Sequence, residues 1–271
     1  GLELVSGSVA GATEAGNGLT HDGTLAAAVP SLRLMSTMPL YGYLPLSILG
    51  IPPVPPPSNA DDGGYLISGL DFWYQGVHYD RAIWSVNGTL EIGTDSGFAA
   101  SAANSLLPNP VLPNNLMAGW WTDLDLSTGG NWYLGTLASG SRVWDVFEWA
   151  AVPRFGDPDS TASFQIWLER GTNLAWFTYG GFTGSPADGT VGVESADGTY
   201  GDTYYYGEGG VGTLPTTDLH VDQNSGPPGE THTITFEAMG WKKGPWQNCA
   251  EMTGDIYFGT NIACFDGTVT D

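Results

Sequence analysis

Ala162-Ser163-Phe164-Gln165-Ile166-Trp167-Leu168-Glu169 is the stretch on which the fold turns. Successive side chains of an extended chain point to opposite faces, so Ala162, Phe164, Ile166 and Leu168 share one side and Ser163, Gln165, Trp167 and Glu169 the other. This alternation predicts a half-buried strand, as one sheet of a sandwich requires. Thr231–Ala238 repeats it, with His232, Ile234, Phe236 and Ala238 opposing Thr231, Thr233, Thr235 and Glu237. Trp84–Ile92 carries Asn87-Gly88 between apolar alternations, the strongest short hairpin signal. Further strands are expected over Val143–Trp149, Leu174–Tyr179 and Thr190–Glu194, with turns at Asp188-Gly189 and Asp197-Gly198.

Composition points the same way. The 271 residues include 40 Gly and 18 Pro without a collagen-like period, beside 11 Trp, 12 Tyr and 10 Phe. That is the make-up of many short strands joined by tight turns. Phe98–Leu107, stopped by Pro108, is the one candidate helix. No repeat of regular period argues for a propeller or solenoid. The expected fold is therefore all-β, an antiparallel β-sandwich of jelly-roll-like type with little helix. Residues 1–60 read as an extended lead-in and proline-rich segment packed on the main domain, and 61–271 as the sandwich module. Pro52-Pro53-Val54-Pro55-Pro56-Pro57 reads as a stiff spacer, because proline cannot donate to a sheet ladder.

The charge removes whole classes of partner. There are 29 acidic against 7 basic residues, a formal −22, although only 13% of residues are charged and 41% are hydrophobic. Normal hydrophobicity excludes disorder. The basic residues are scattered, Lys242-Lys243 being the sole adjacent pair, so nucleic acid and anionic membrane surfaces are not expected partners. No apolar run reaches the roughly 18–20 residues of a membrane helix, and no signal peptide opens the sequence, which suggests a mature, soluble piece. An acidic surface of this kind serves solubility in salt or attracts cations, and both readings stand.

Two cysteines, Cys249 and Cys264, flank a turn-rich segment. A disulfide across a terminal hairpin, worth about 3 kcal/mol, and a pair of buried thiols are the two readings. An oxidised pair places the chain outside the cytoplasm. Zinc lacks a second cysteine pair or a nearby histidine.

Catalytic signals are weak. Asp95-Ser96-Gly97 matches the centre of a trypsin-like nucleophile loop, but Thr94 and Phe98 stand where that loop has glycine. None of His21, His78, His220 and His232 lies two or four residues from another, so metal-ligand spacing is absent. Glu148 and Glu169, expected on neighbouring strands beside Trp149 and Trp167, form a candidate glycosidase pair if they converge. Asp123, Asp125 and Ser127 alternate ahead of Gly129-Gly130, as an oxygen-rich calcium loop begins, although Leu134 occupies the place of the bidentate Glu of an EF-hand. Their alternative role is to cap a tight turn. No cofactor is required, and calcium is the candidate cation. Trp132, Tyr133, Tyr204, Tyr205 and Tyr206 read as sitting in Gly-rich loops, not in alternating strands, and are the exposed aromatic candidates for contact with a partner.

Taken in order, Phe72-Trp73-Tyr74-Gln75-Gly76-Val77-His78-Tyr79, Ser85-Val86-Asn87-Gly88-Thr89-Leu90 and Leu112–Asp125, the last ending Trp120-Trp121-Thr122-Asp123-Leu124-Asp125, resemble the nidogen-like β-sandwich module. Val143–Arg154, Phe164–Leu168 and Val191–Thr199 continue the likeness. Versions of this module look most like the non-catalytic C-terminal regions of secreted bacterial subtilisin-like serine proteases, to which Pro39–Ser47 and the Cys249…Cys264 segment are also similar. No His-Gly-Thr-His or Gly-Thr-Ser-Met-Ala motif occurs. The resemblance implies a secreted, monomeric, non-catalytic accessory module that binds protein substrate or an extracellular polymer or glycan, or aids folding and secretion. An adhesion or matrix-type binding module is the first alternative, and a stand-alone glycoside hydrolase using Glu148 and Glu169 the second.

Overall fold

A computed structural model describes residues 2–4, 13–15, 18–20, 32–36, 40–93, 102–184, 186, 188–223, 238–240, 244–251 and 262–269. In chain order its strands begin with β1 (Leu2–Leu4), β2 (Thr13–Ala15), β3 (Gly18–Thr20) and β4 (Leu32–Met35). Then follow β5 (Gly64–Tyr74), β6 (Val77–Ser85), β7 (Thr89–Ile92), β8 (Leu116–Trp121), β9 (Asn131–Ser139) and β10 (Arg142–Arg154). After them come β11 (Asp157–Glu169), β12 (Ala175–Phe182), β13 (Thr190–Glu194), β14 (Gly201–Tyr206), β15 (Val211–Gly212) and β16 (Leu219–Gln223). The last are β17 (Ala238–Gly240), β18 (Gly244–Glu251) and β19 (Ile262–Val269). One turn of 3₁₀ helix spans Leu46–Leu49.

The chain divides into two compact units, Val29–Pro227 and the paired termini Gly1–Ala28 with Pro228–Asp271. In the terminal unit β1 pairs with β17, β2 with β3, and β18 with β19. The β18–β19 register sets Cys249 directly opposite Cys264. The expected strand over Thr231–Ala238, with His232, lies largely outside the described residues, as do His21 and Asp95-Ser96-Gly97.

The larger unit is the expected sandwich of two antiparallel sheets. One has six strands in the order β4-β16-β12-β11-β10-β9 and the other seven, β15-β14-β13-β8-β7-β6-β5. Each contains a four-strand meander, β9–β12 and β5–β8 respectively. The Trp84–Ile92 hairpin forms with Trp84 opposite Leu90 across Val86-Asn87-Gly88. Only glycine fits at residue 88: its φ is +84°, and a Cβ there would stand 1.8 Å from the Trp120 carbonyl oxygen.

Between the sheets, Phe147, Trp149, Phe164, Ile166 and Leu168 from one meet Trp84, Leu90, Ile92, Met117 and Val193 from the other. Trp84 stacks on Trp132 at 4.2 Å and Trp149 on Phe164 at 4.6 Å, pairs worth about 0.5–1.5 kcal/mol each beyond the area they bury. The Trp149 indole donates to the Ser85 and Val86 carbonyls of the hairpin turn, tying the turn to the facing sheet.

Two expectations change. The alternation in β11 holds, but its second face is buried too: Gln165 is 0% and Trp167 1% exposed. Residues 40–51 cover that face, where Leu46, Tyr133, Trp144, Val146, Trp167 and Trp176 form a separate apolar cluster. The helix expected over Phe98–Leu107 is absent from its described part, residues 102–107. There the polar groups go to the sheet instead: Asn104 Nδ2 to the Asp188 carbonyl and Thr190 Oγ1, and Leu107 N to Thr203 Oγ1.

Candidate functional site

The candidate aromatics do not form a solvent-facing set. Trp132 and Tyr133 lie on β9, not in a loop; Trp132 is 1% exposed in the inter-sheet core and Tyr133 9% exposed in the cluster under residues 40–51. The Gly129-Gly130 turn ends just before β9 starts, and the strand carries both side chains inside. Tyr204, Tyr205 and Tyr206 lie on β14 and are half-buried. Tyr205 stacks on Trp120 at 5.5 Å, and Tyr206 Oη donates to Glu208 Oε2 at 3.1 Å.

The proposed calcium ligands separate. Asp125 is 4% exposed, and its Oδ1 accepts the Ser127 amide at 2.7 Å, the turn-capping role. Ser127 itself faces solvent. Asp123 is instead brought to Asp61 and Asp62, carboxylate oxygens of the three lying within 4.8 Å of one another. The hairpin turn organises this corner: Asn87 Nδ2 donates to Asp62 Oδ1 at 3.1 Å, and Asn87 Oδ1 accepts Leu124 N at 2.9 Å. Desolvation, then repulsion from Asp62, raises the Asp123 carboxyl above its usual range, with Arg154 opposing; desolvation and Asp62 likewise raise Asp61. Three oxygens so placed could hold a cation. In the sequence Asp61-Asp62 reads only as part of a turn, because its meeting with Asp123 depends on a contact across some sixty residues of chain. Arg154 pairs with Asp188 beside this corner.

Glu148 and Glu169 do not converge. The register pairs Glu148 with Gln165, and Glu169 lies four residues further along β11, about 13 Å at strand rise, beyond the ~5–9.5 Å of a glycosidase pair. Each also has an internal partner. Glu169 holds Arg142, whose Nε lies 3.0 Å from both carboxylate oxygens and whose guanidinium covers Trp144 and Trp176. Glu148, 0% exposed, accepts Tyr43 Oη at 2.5 Å and Leu46 N at 2.9 Å; burial nonetheless raises its pKa.

Around Glu148 is a polar network on the outer face of the six-stranded sheet. Gln165 Oε1 accepts Leu44 N, Trp167 Nε1 and Thr178 Oγ1, while its Nε2 donates to the Leu44 carbonyl at 2.5 Å. Asp218 Oδ2 accepts the amides of Leu40 and Gly42. His78, on the other sheet, pairs with Asp71 at 2.8 Å on the surface beside Trp73. His220 is buried against Trp176, and burial lowers its pKa.

A family model described as NIDO related matches residues 54–238, from the proline run through both sheets. The chain belongs to the NIDO-related family. No curated protein and no solved structure was found to match it. The NIDO-related match takes in the hairpin, the acidic corner and both meanders, and it is of extracellular type. Among the described residues no helix is long and apolar enough to cross a membrane.

Proposed function

We propose that this NIDO-related chain is a non-catalytic accessory module of a secreted subtilisin-like protease and that it binds protein substrate or an extracellular surface. The observation that carries this reading is the family match over 54–238, joined to the likeness of Pro39–Ser47 and the closing cysteine segment to the tails of such proteases. The internal use of Glu148 and Glu169 supports a binding role over hydrolysis. The module acts as a monomer, and Cys249 and Cys264 are joined as a disulfide, for which their facing positions in β18–β19 are the support.

Retention of the full chain on insoluble protein and on cell-surface glycans tests the binding role. Retention on protein supports it, retention on glycans alone favours the adhesion or matrix reading, and retention on neither overturns both. Alkylation before and after reduction tests the cysteines: a secreted sample that takes up label unreduced has no such bond.

A further inference from the structure

The two sheets of the larger unit end in four edge strands, β4, β9, β15 and β5, and three of them are blunted. β15 is two residues long. β4 is four residues long, and its Leu34 amide goes to Asp202 Oδ2 at 2.8 Å. β5 is broken by a bulge between Ser68 and Phe72, where Gly69 has a φ of +85°. Beyond the bulge Trp73 N donates to the Thr172 carbonyl, and Gly171 N donates to that of Asp71. These are means by which native sheets stop a further strand from adding.

β9 has none of them. It runs nine residues in unbroken register with β10 and carries neither proline nor a charged residue. At its start Val54 N donates to the Trp132 carbonyl at 2.8 Å in an antiparallel bridge, so Trp132 turns its backbone outward. Strand alternation then turns Leu134, Thr136 and Ala138 outward too, and among the described residues no partner meets their N–H and C=O groups. The chain's own segment does not continue the bridge. In that register Pro52 would stand opposite Leu134 and has no N–H to give, and the preceding chain turns away through left-handed Gly50 and the 3₁₀ turn at Leu46–Leu49.

Charge identifies the occupant. Residues 40–60 and 126–144, which form and flank this edge, contain no acidic residue, although the chain carries 29. The 3₁₀ turn packs on β9 and leaves Ile48 70% and Leu49 48% exposed. A neutral, apolar strand meets no repulsion here, while the formal −22 of the whole chain draws basic residues to either side and repels a second copy. We propose that the β9 edge from Leu134 to Ala138 is a strand-addition site: an extended segment of another protein, uncharged where it pairs and basic on either side, continues the antiparallel bridge that Val54 begins. This places the protein contact of the binding-module reading and rests on that reading. Retention on insoluble protein that Ala138→Pro leaves unchanged removes the site and keeps the reading; absence of retention removes the reading, and amide exchange with peptide still decides the site.

The test is amide hydrogen exchange of the full chain with a peptide of alternating threonine and valine flanked by lysine pairs. In the free chain Leu134, Thr136 and Ala138 should exchange quickly beside the slow amides of Tyr133, Gly135 and Leu137, which bond to β10. Saturating peptide should slow the first set about tenfold or more and leave the second unchanged. N-methylation of alternate peptide residues should abolish binding in one phase and spare it in the other, because one edge of the added strand meets β9. Glutamate in place of lysine should weaken binding about tenfold in low salt. Ala138→Pro removes an outward N–H, leaves the β10 ladder whole, and should weaken binding about fivefold, the loss of one hydrogen bond. Slow exchange of the first set in the free chain, no protection by peptide, protection indifferent to the phase of methylation, or equal binding of the lysine and glutamate peptides overturns the proposal. So does protection that grows with protein concentration without peptide, the mark of a second copy on the edge.

Discussion

Each sheet of the sandwich carries chain that is not part of a sheet over some of its outer face, and the two covers differ in chemistry. On the six-stranded side residues 40–51 lie over three tryptophans, and the buried carboxylate there has a donor on each oxygen, Glu148 taking both Tyr43 Oη and Leu46 N. On the seven-stranded side the 102–115 segment sets Leu107 on Leu116, Ala118 and Trp121, a smaller cluster. Its carboxylate, Glu194, accepts only Asn109 N at 2.9 Å, and its Oε1 is buried without a partner. One cover is large and supplies a donor to each oxygen of its buried carboxylate; the other is small and leaves one carboxylate oxygen without a donor. Covering a sheet is therefore not enough to predict its stability: what matters is whether the buried acceptors beneath the cover find donors.

The largest effect should separate the covers by apolar contact alone. Leu46→Ala is expected to cost about 4 kcal/mol and Leu107→Ala about 2 kcal/mol, because a cavity floored by indoles collapses less readily than one beside Ala118. Urea melts of the two variants check this. Equal losses would mean that the indoles add nothing to the first cover.

The second effect is a pH dependence that belongs to the seven-stranded side. Desolvation raises Glu194 and Glu91, both buried, from an ordinary 4.5 to about 7. A carboxyl whose folded pKa is raised holds its proton more tightly in the native state, so its contribution is fully present below about pH 4.5 and is lost as pH rises through about 7. A shift of this size corresponds to about 3 kcal/mol per group. Stability should thus fall between pH 5 and 8. Glu194→Gln should flatten part of that slope, whereas Asp197→Asn, at a fully exposed turn, should leave it unchanged. A slope indifferent to Glu194→Gln would show that the carboxyl is not desolvated as the fold implies.

A third change probes the better-bonded cover. Tyr43→Phe leaves Glu148 with one donor and should cost about 1–2 kcal/mol, bringing Glu148 towards the condition of Glu194. The same variant should steepen the loss of stability with rising pH. A flat profile with unchanged stability would mean that the Tyr43 hydroxyl contributes nothing.

Much of the inner sandwich was legible in sequence because period-2 alternation and Asn-Gly turns are local signals. The Phe164, Ile166 and Leu168 face, the Trp84–Ile92 hairpin and the Thr190–Glu194 strand all follow from residues within ten of one another. The covers were not legible. Gln165 and Trp167 read as the outer half of a half-buried strand, since nothing within β11 announces a segment more than a hundred residues earlier that hydrogen-bonds to them. For the same reason the acidic group was read as Asp123, Asp125 and Ser127: neighbours in sequence share a loop, but Asp125 turns to cap Ser127 while Asp61 and Asp62 arrive from another. Trp132 and Tyr133 were misread as loop residues because a glycine pair marks where a turn ends without saying how soon the next strand begins.

The smallest expected effect is the most direct test of redundancy in the two covers. Thr178 Oγ1 is one of three donors to Gln165 Oε1, the others being Leu44 N and Trp167 Nε1. Thr203 Oγ1 instead accepts Leu107 N at 2.9 Å and donates to the Leu107 carbonyl at 2.7 Å, so one hydroxyl satisfies both halves of that residue's backbone. Valine has the shape of threonine without its polar atom. Thr178→Val should cost under ~0.5 kcal/mol, because the acceptor keeps two donors, while Thr203→Val should cost about 1 kcal/mol and speed exchange of the Leu107 amide. If the two variants lose the same stability, the difference between the covers lies in their apolar contacts, and the hydrogen-bond account of the seven-stranded side fails.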